Sequence, residues 1–173
     1  MSAVASDRVR SRVSLSMWSV LGAGWFELWF FVVFPALILS WSGQGWDLPF
    51  GRYFWIGATL VVIAHAALVS EIVTFVRWGG THVPLDPPPS LVANGLYRRV
   101  RNPMYMSYVA IAIGEAIAYR SWALVAYSAT LAVLIHVYVI RIEEPGLLRR
   151  FGEDYERYAA STGRWFPFIR DSV

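Results

Sequence analysis

Long apolar runs separated by short polar intervals dominate the chain, and their lengths set its elements. Residues 18–41 are apolar apart from Glu27 and small polar side chains. As a helix this run extends about 34 Å, enough to cross a hydrocarbon layer of roughly 30 Å. A loop containing Gly43, Gly45 and Pro49 follows, and residues 53–76 form a second run broken only by His65 and Glu71. The pair predicts a helical hairpin with a tight return. Residues 104–119 and 122–140 form a second apolar pair joined at Arg120 and Ser121. The pattern therefore predicts an all-α polytopic integral membrane protein of about four spans, one membrane domain over residues 1–173. Trp18, Trp41, Trp55, Trp78 and Trp122 fall near the ends of these runs, where amphipathic rings favour the headgroup region.

Two polar segments lie outside the spans. In residues 77–103, Pro84, Pro87, Pro88 and Pro89 forbid a regular helix and predict an extended stretch over the membrane surface, closed by an Asn94-Gly95 turn. In residues 141–173, Pro145 disfavours the helical region at Glu144, which predicts a break or a new helix start there. If the fourth span ends at Glu143 and Glu144, two acids oppose its macrodipole, which favours a functional reason for them. Leu147, Phe151, Tyr155 and Tyr158 then recur at spacings of four, four and three. Arg149/Glu153, Arg150/Asp154 and Glu153/Arg157 fall at i, i+4, and the whole predicts one interfacial helix.

Composition narrows the class. Hydrophobic residues make up 57% of the chain and charged residues 16%, too little polar surface to cover a soluble globule. The formal charge of +3 comes from arginines beside apolar runs, not from a solvated basic face interleaved with aromatics, so nucleic acid is not an expected partner. Cysteine is absent, which removes disulfides, thiolate metal sites and a cysteine nucleophile. Arg8, Arg10 and Arg12 precede the first span as a signal peptide's basic region does, but the apolar run is too long for a cleavable signal. Arginines concentrate in the N-terminal tail, in residues 77–103 and beyond residue 140, against only Arg52 and Arg120 in the opposite loops. The positive-inside rule then places both termini and both polar segments in the cytoplasm.

The two cytoplasmic segments carry a family resemblance. Gly95-Leu96-Tyr97-Arg98-Arg99-Val100-Arg101-Asn102-Pro103-Met104-Tyr105 precedes a helical hairpin. Glu143-Glu144, then Phe151 to Tyr158, then Arg164-Trp165-Phe166-Pro167 follow it. In order and spacing this resembles the isoprenylcysteine carboxyl methyltransferase family and its phospholipid methyltransferase relatives. Asn102 stands where that family usually has histidine; asparagine keeps hydrogen-bonding capacity but does not titrate near neutrality, which suits positioning rather than proton transfer. Leu96 replaces a frequent proline.

The resemblance implies S-adenosylmethionine as cofactor, held where residues 77–103 and 141–173 meet, with no metal. It implies Leu96, Tyr97, Arg101, Asn102, Pro103, Tyr105, Glu143 and Glu144 as cofactor-binding residues, and Asn102, Arg141 and His136 as candidate catalytic residues. Glu143 and Glu144 complement the cofactor's cationic groups and Arg101 its carboxylate. His136, seven residues before Glu143, falls near the same helix face about 10 Å deeper, as a residue lining an acceptor tunnel would. The implied reaction is methyl transfer to a lipophilic or prenylated acceptor, a carboxylate being favoured because it needs no base.

Each element also has a plainer reading. Arg98, Arg99 and Arg101 suit positive-inside anchors, Tyr97 and Tyr105 an interfacial belt, and the paired glutamates a solvated helix end. Glu27, His65, Glu71, Glu115 and His136 are ionisable groups in or near the bilayer, where they face a partner or a cavity. A nicotinamide-dependent membrane reductase of the steroid-reductase type and a non-catalytic scaffold or transport subunit remain open beside the methyltransferase.

Overall fold

The computed structural model describes residues 24–45, 48–77 and 91–168. The start of the first predicted span, Trp78, the proline-rich stretch and the arginines at positions 8, 10, 12 and 170 lie outside the described residues. Five helical elements follow one another: α1 (Gly24–Trp41), α2 (Arg52–Arg77), α3 (Pro103–Tyr119), α4 (Trp122–Phe151) and α5 (Glu153–Ser161). A 3-10 turn, Gly95–Arg98, precedes α3. No strand occurs among the described residues; Val100 and Gly163 form an isolated parallel bridge.

Among the described residues three helical stretches are long and apolar enough to cross a membrane: Gly24–Trp41, Arg52–Thr74 and Trp122–Phe151. The chain is an all-α integral membrane protein. The third predicted span is α3, apolar but 17 residues long, or about 26 Å at 1.5 Å per residue.

Two prolines that ought to end helices do not. Pro35 and Pro145 each occupy the second position of the α-helical stretch that follows a π-helical turn, Trp29–Val33 in α1 and Val139–Glu143 in α4. A proline ring collides with the carbonyl four residues earlier, here Phe31 or Arg141, and widening the turn at that carbonyl removes the collision. The helix then runs on. The break expected at Glu144 is therefore absent: α4 continues to Phe151, and the paired glutamates sit within a helix rather than at its C-terminus. The break falls instead at Gly152, whose φ of +51° and ψ of −126° suit only glycine. The predicted interfacial helix is thus two pieces, and its Arg149/Glu153 and Arg150/Asp154 spacings straddle the break. Asp154 and Arg157 pair within α5.

The core joins all four long helices. Phe31 of α1, Ala64 and Leu68 of α2, Tyr108, Ile111 and Ala112 of α3, and Leu131 of α4 form one buried cluster. Lipid is as apolar as these side chains, so close packing and interhelical hydrogen bonds hold the bundle rather than expulsion from water. Both devices are present. Gly57 of α2 lies against the Gly114 carbonyl and Ala118 of α3, leaving no room for a Cβ. The Tyr127 hydroxyl of α4 donates to the Phe30 carbonyl at the π turn of α1, 2.7 Å away. A two-residue turn joins α3 to α4: Arg120 takes left-handed backbone angles, and the Ser121 hydroxyl accepts from the Leu124 amide.

Candidate functional site

The residues from 95 to 105 reach their places through backbone contacts with the C-terminal tail. The 3-10 turn lays Tyr97 inward, and the Tyr158 hydroxyl of α5 donates to the Tyr97 carbonyl at 2.7 Å. The Arg101 amide donates to the Gly163 carbonyl at 2.8 Å, and Asn102 Nδ2 donates to the Arg164 carbonyl at 3.1 Å. Asn102, 7% exposed, therefore acts as a tether between the start of α3 and the tail. Pro103 opens α3, where its missing amide hydrogen leaves no intrahelical bond unmade.

Glu143 and Glu144 meet these residues from α4. Glu144 accepts two bonds from Arg164, Nε to Oε1 and Nη2 to Oε2, both 2.7 Å. Its Oε1 also lies 3.2 Å from Arg101 Nη1. Arg101 Nη1 in turn reaches the Tyr155 hydroxyl at 3.4 Å, while its buried Nε has no partner. The bidentate bond to Glu144 chiefly raises the affinity of Arg164 for its proton. Beside this triad the Tyr105 hydroxyl donates to Glu143 Oε2 at 2.7 Å. Burial, then the Glu71 and Glu143 carboxylates, hold the Tyr97 phenol well above its ordinary range, so it stays a neutral donor. Burial does the same for Tyr158, against the opposing pull of Arg101.

The structure thus brings Tyr97, Arg101, Asn102, Pro103, Tyr105, Glu143 and Glu144 together at one end of the bundle. It places the other candidates elsewhere. Leu96 is exposed on the turn, and Arg141 is exposed on the π turn. His136 is exposed on α4, where the Trp165 indole donates to its Nδ1 at 3.0 Å. The face shared by His136 and Glu143 in a regular helix is lost, because five π-helical residues rotate the chain by about 90° less than α-helical ones. His136 anchors the tail from outside. Arg164, Tyr155 and Tyr158, absent from the sequence candidates, belong to the network. Their signal was the Phe151 to Pro167 stretch, whose periodicity reads as packing alone.

Fold and site together define a helical membrane protein with a charged, half-buried cluster at the end of a helix hairpin, closed over by its own tail. Residues 53–154 match the phospholipid methyltransferase family, and the chain belongs to that family, which includes the isoprenylcysteine carboxyl methyltransferases. The match covers α2 to the start of α5 and stops short of Arg164. No curated protein matches the chain.

Proposed function

We propose that this protein transfers a methyl group from S-adenosylmethionine to a lipophilic acceptor drawn from the bilayer. The observation that carries the reading is the charge cluster Arg101–Glu144–Arg164 beside Glu143–Tyr105, built from segments about 40 residues apart. Its donor set fits a zwitterionic ligand tail. The buried Arg101 Nε is a free donor for a carboxylate, and Glu143 has accepted only the Tyr105 bond, leaving acceptor capacity for an ammonium.

The bound cofactor supplies an electrophilic methyl carbon on a sulfonium. The chain's own residues bind, orient and exclude water, which is most of what an in-line displacement requires. Arg101 and Glu143 hold the zwitterionic tail. Arg164 fixes the Glu144 carboxylate in its plane, and Tyr158 with Asn102 clamps the tail over the Tyr97 turn. Asn102, engaged as a donor, supplies no base.

In this reading the cluster faces the cytoplasm, both termini are cytoplasmic, and α3 crosses the bilayer as a fourth span. Titration of the purified protein with S-adenosylhomocysteine tests the proposal. Saturable binding with no competition from a nicotinamide dinucleotide is expected. Binding of the dinucleotide alone would replace the methyltransferase reading with the reductase, and binding of neither would leave a scaffold.

A further inference from the structure

The tail that closes over the charge cluster does not end at it. Arg164 holds Glu144, and the very next residue turns to the outside of α4, where the Trp165 indole donates to His136 Nδ1 at 3.0 Å. The depth of that contact follows from helix geometry. α4 opens at Trp122, an exposed tryptophan just after the α3–α4 turn, where an amphipathic ring marks a bilayer interface. His136 stands about 21 Å further along the helix, whereas a hydrocarbon layer measures about 30 Å. The imidazole, and with it the indole nitrogen, therefore lies roughly 9 Å inside the layer at the site's end of the bundle. Val133 and Val137 flank His136 on the helix, and both are exposed, as side chains that face acyl chains are.

At that depth water does not compete for either polar group. An indole N–H in hydrocarbon needs an acceptor, and a histidine on a lipid-facing surface needs a donor, so each accounts for the other. The residues that follow carry no such polar handle. Phe166 is 79% exposed and Phe168 56% exposed, with Pro167 exposed between them. In water these rings would form a costly apolar patch; beside the exposed valines of α4 they continue a surface already suited to lipid.

We propose that residues 165–168 are a lipid anchor: the rings of Trp165, Phe166 and Phe168 sit among the acyl chains of the leaflet on the site's side, His136 is the polar partner that admits the indole, and the anchor holds in place the strand that closes the site. The contacts that close the site all fall within two residues of Trp165. The Gly163 carbonyl accepts from the Arg101 amide, the Arg164 carbonyl accepts from Asn102, and the Arg164 guanidinium holds Glu144. A tail fixed in lipid at Trp165 keeps these three bonds together, and a tail freed there lets them open from the end. None of this depends on the methyl-transfer reading.

The absence of cysteine allows single cysteines to be introduced and labelled with bimane in the full chain, held in phosphatidylcholine nanodiscs that leave both faces open to solvent. Label at Phe166→Cys, and separately at Phe168→Cys, is expected to be quenched by brominated acyl chains and shielded from aqueous iodide. Glu156→Cys, on the exposed face of α5, is the control and is expected to show the reverse. Adding His136→Ala is expected to open the label at position 166 to iodide, while His136→Gln, which keeps an acceptor for the indole, is expected to preserve the shielding. Phe166→Ser with Phe168→Ser is expected to speed amide exchange at Arg101, read by mass spectrometry, by about fivefold or more, because that amide donates to Gly163. Iodide quenching at both 166 and 168 overturns the proposal, and so does quenching by neither agent, which would mean that protein covers the rings. His136→Ala without effect removes the histidine from the anchor, and unchanged exchange at Arg101 overturns the hold on the site.

Discussion

Glu144 is the residue on which most of the cluster converges, since it holds Arg164 through two bonds and Arg101 through a third contact. Glu144→Gln removes the charge that orders both arginines while keeping the side chain's volume. The loss of one charge-assisted hydrogen bond, about 1.5 to 3 kcal/mol, corresponds to a fall of roughly 10- to 150-fold in affinity for S-adenosylhomocysteine. Glu153→Gln, on the exposed face of α5, is the matched control and should change affinity by less than about twofold. Calorimetric titration of the two variants and the parent decides it; three equal affinities would reduce the Glu144 cluster to a structural clasp. The sequence singled out these residues through the joint spacing of the paired acids and the Arg101-Asn102-Pro103 run, which resembles the family, since each alone also suits an anchor or a solvated helix end. Arg164 lay within the Arg164-Trp165-Phe166-Pro167 run of the resemblance but was not singled out, since its pairing with Glu144 is visible only once the tail is seen folded back. His136 misled for a related reason: its angular relation to Glu143 assumed a uniform helix, and the π turn between them is a response to Pro145 that periodicity does not report.

At the scale of elements, the α2–α3 contact sets the frame on which the cluster is built. It depends on small residues. A methyl group added at Gly57 meets the Gly114 carbonyl and the Ala118 amide, and one added at Gly114 stands 2.7 Å from Val61 Cγ2 and 2.9 Å from the Gly57 carbonyl. Backbone atoms do not rotate aside as a side-chain tip does, so the helices must separate. Gly57→Ala should therefore destabilise the protein by about 1 to 3 kcal/mol, the usual range for overpacking. Gly51→Ala, with nothing nearer than 3.8 Å, should fall within about 0.5 kcal/mol of the parent. Thermal unfolding in detergent compares them, and equal midpoints would mean that the close approach contributes nothing. The apolar runs announced these helices by length alone, whereas their pairing was hidden: Gly57 and Gly114 look like weak points in two runs until they are opposed. The tail helix shows the converse error. Its spacing of four, four and three fitted one helix, but the glycine between Phe151 and Glu153 takes a backbone conformation that ends one helix and starts another.

For the whole molecule the open question is how many times the chain crosses the bilayer, and α3 decides it. Contacts along α2 show that the two helices run antiparallel at matched depth. Thr74 meets Gly95 just before α3 begins, Glu71 meets Ser107, Gly57 meets Gly114 and Ala118, and the Arg120 guanidinium lies 5.2 Å over the Tyr53 ring at the far end. An 18-residue apolar window in α2 qualifies it as a span. A helix that accompanies it from Thr74 to Tyr53 is expected to traverse the same hydrocarbon layer, even at about 26 Å, because a bilayer thins locally or flanking side chains snorkel to accommodate a short span. Arg120, at the turn, is placed to do so. On the proposed reading the arginine asymmetry predicts the direction, with the cluster and both termini on the cytoplasmic side and the Arg120–Trp122 turn on the other. The cysteine-free chain permits a direct test. Trp122→Cys, at an exposed position, should react with a membrane-impermeant maleimide from the outer face, and Ser172→Cys should react only in inverted vesicles. Labelling of both from the same face would mean that α3 returns without crossing and that the site residues it carries do not share a cytoplasmic face with the tail.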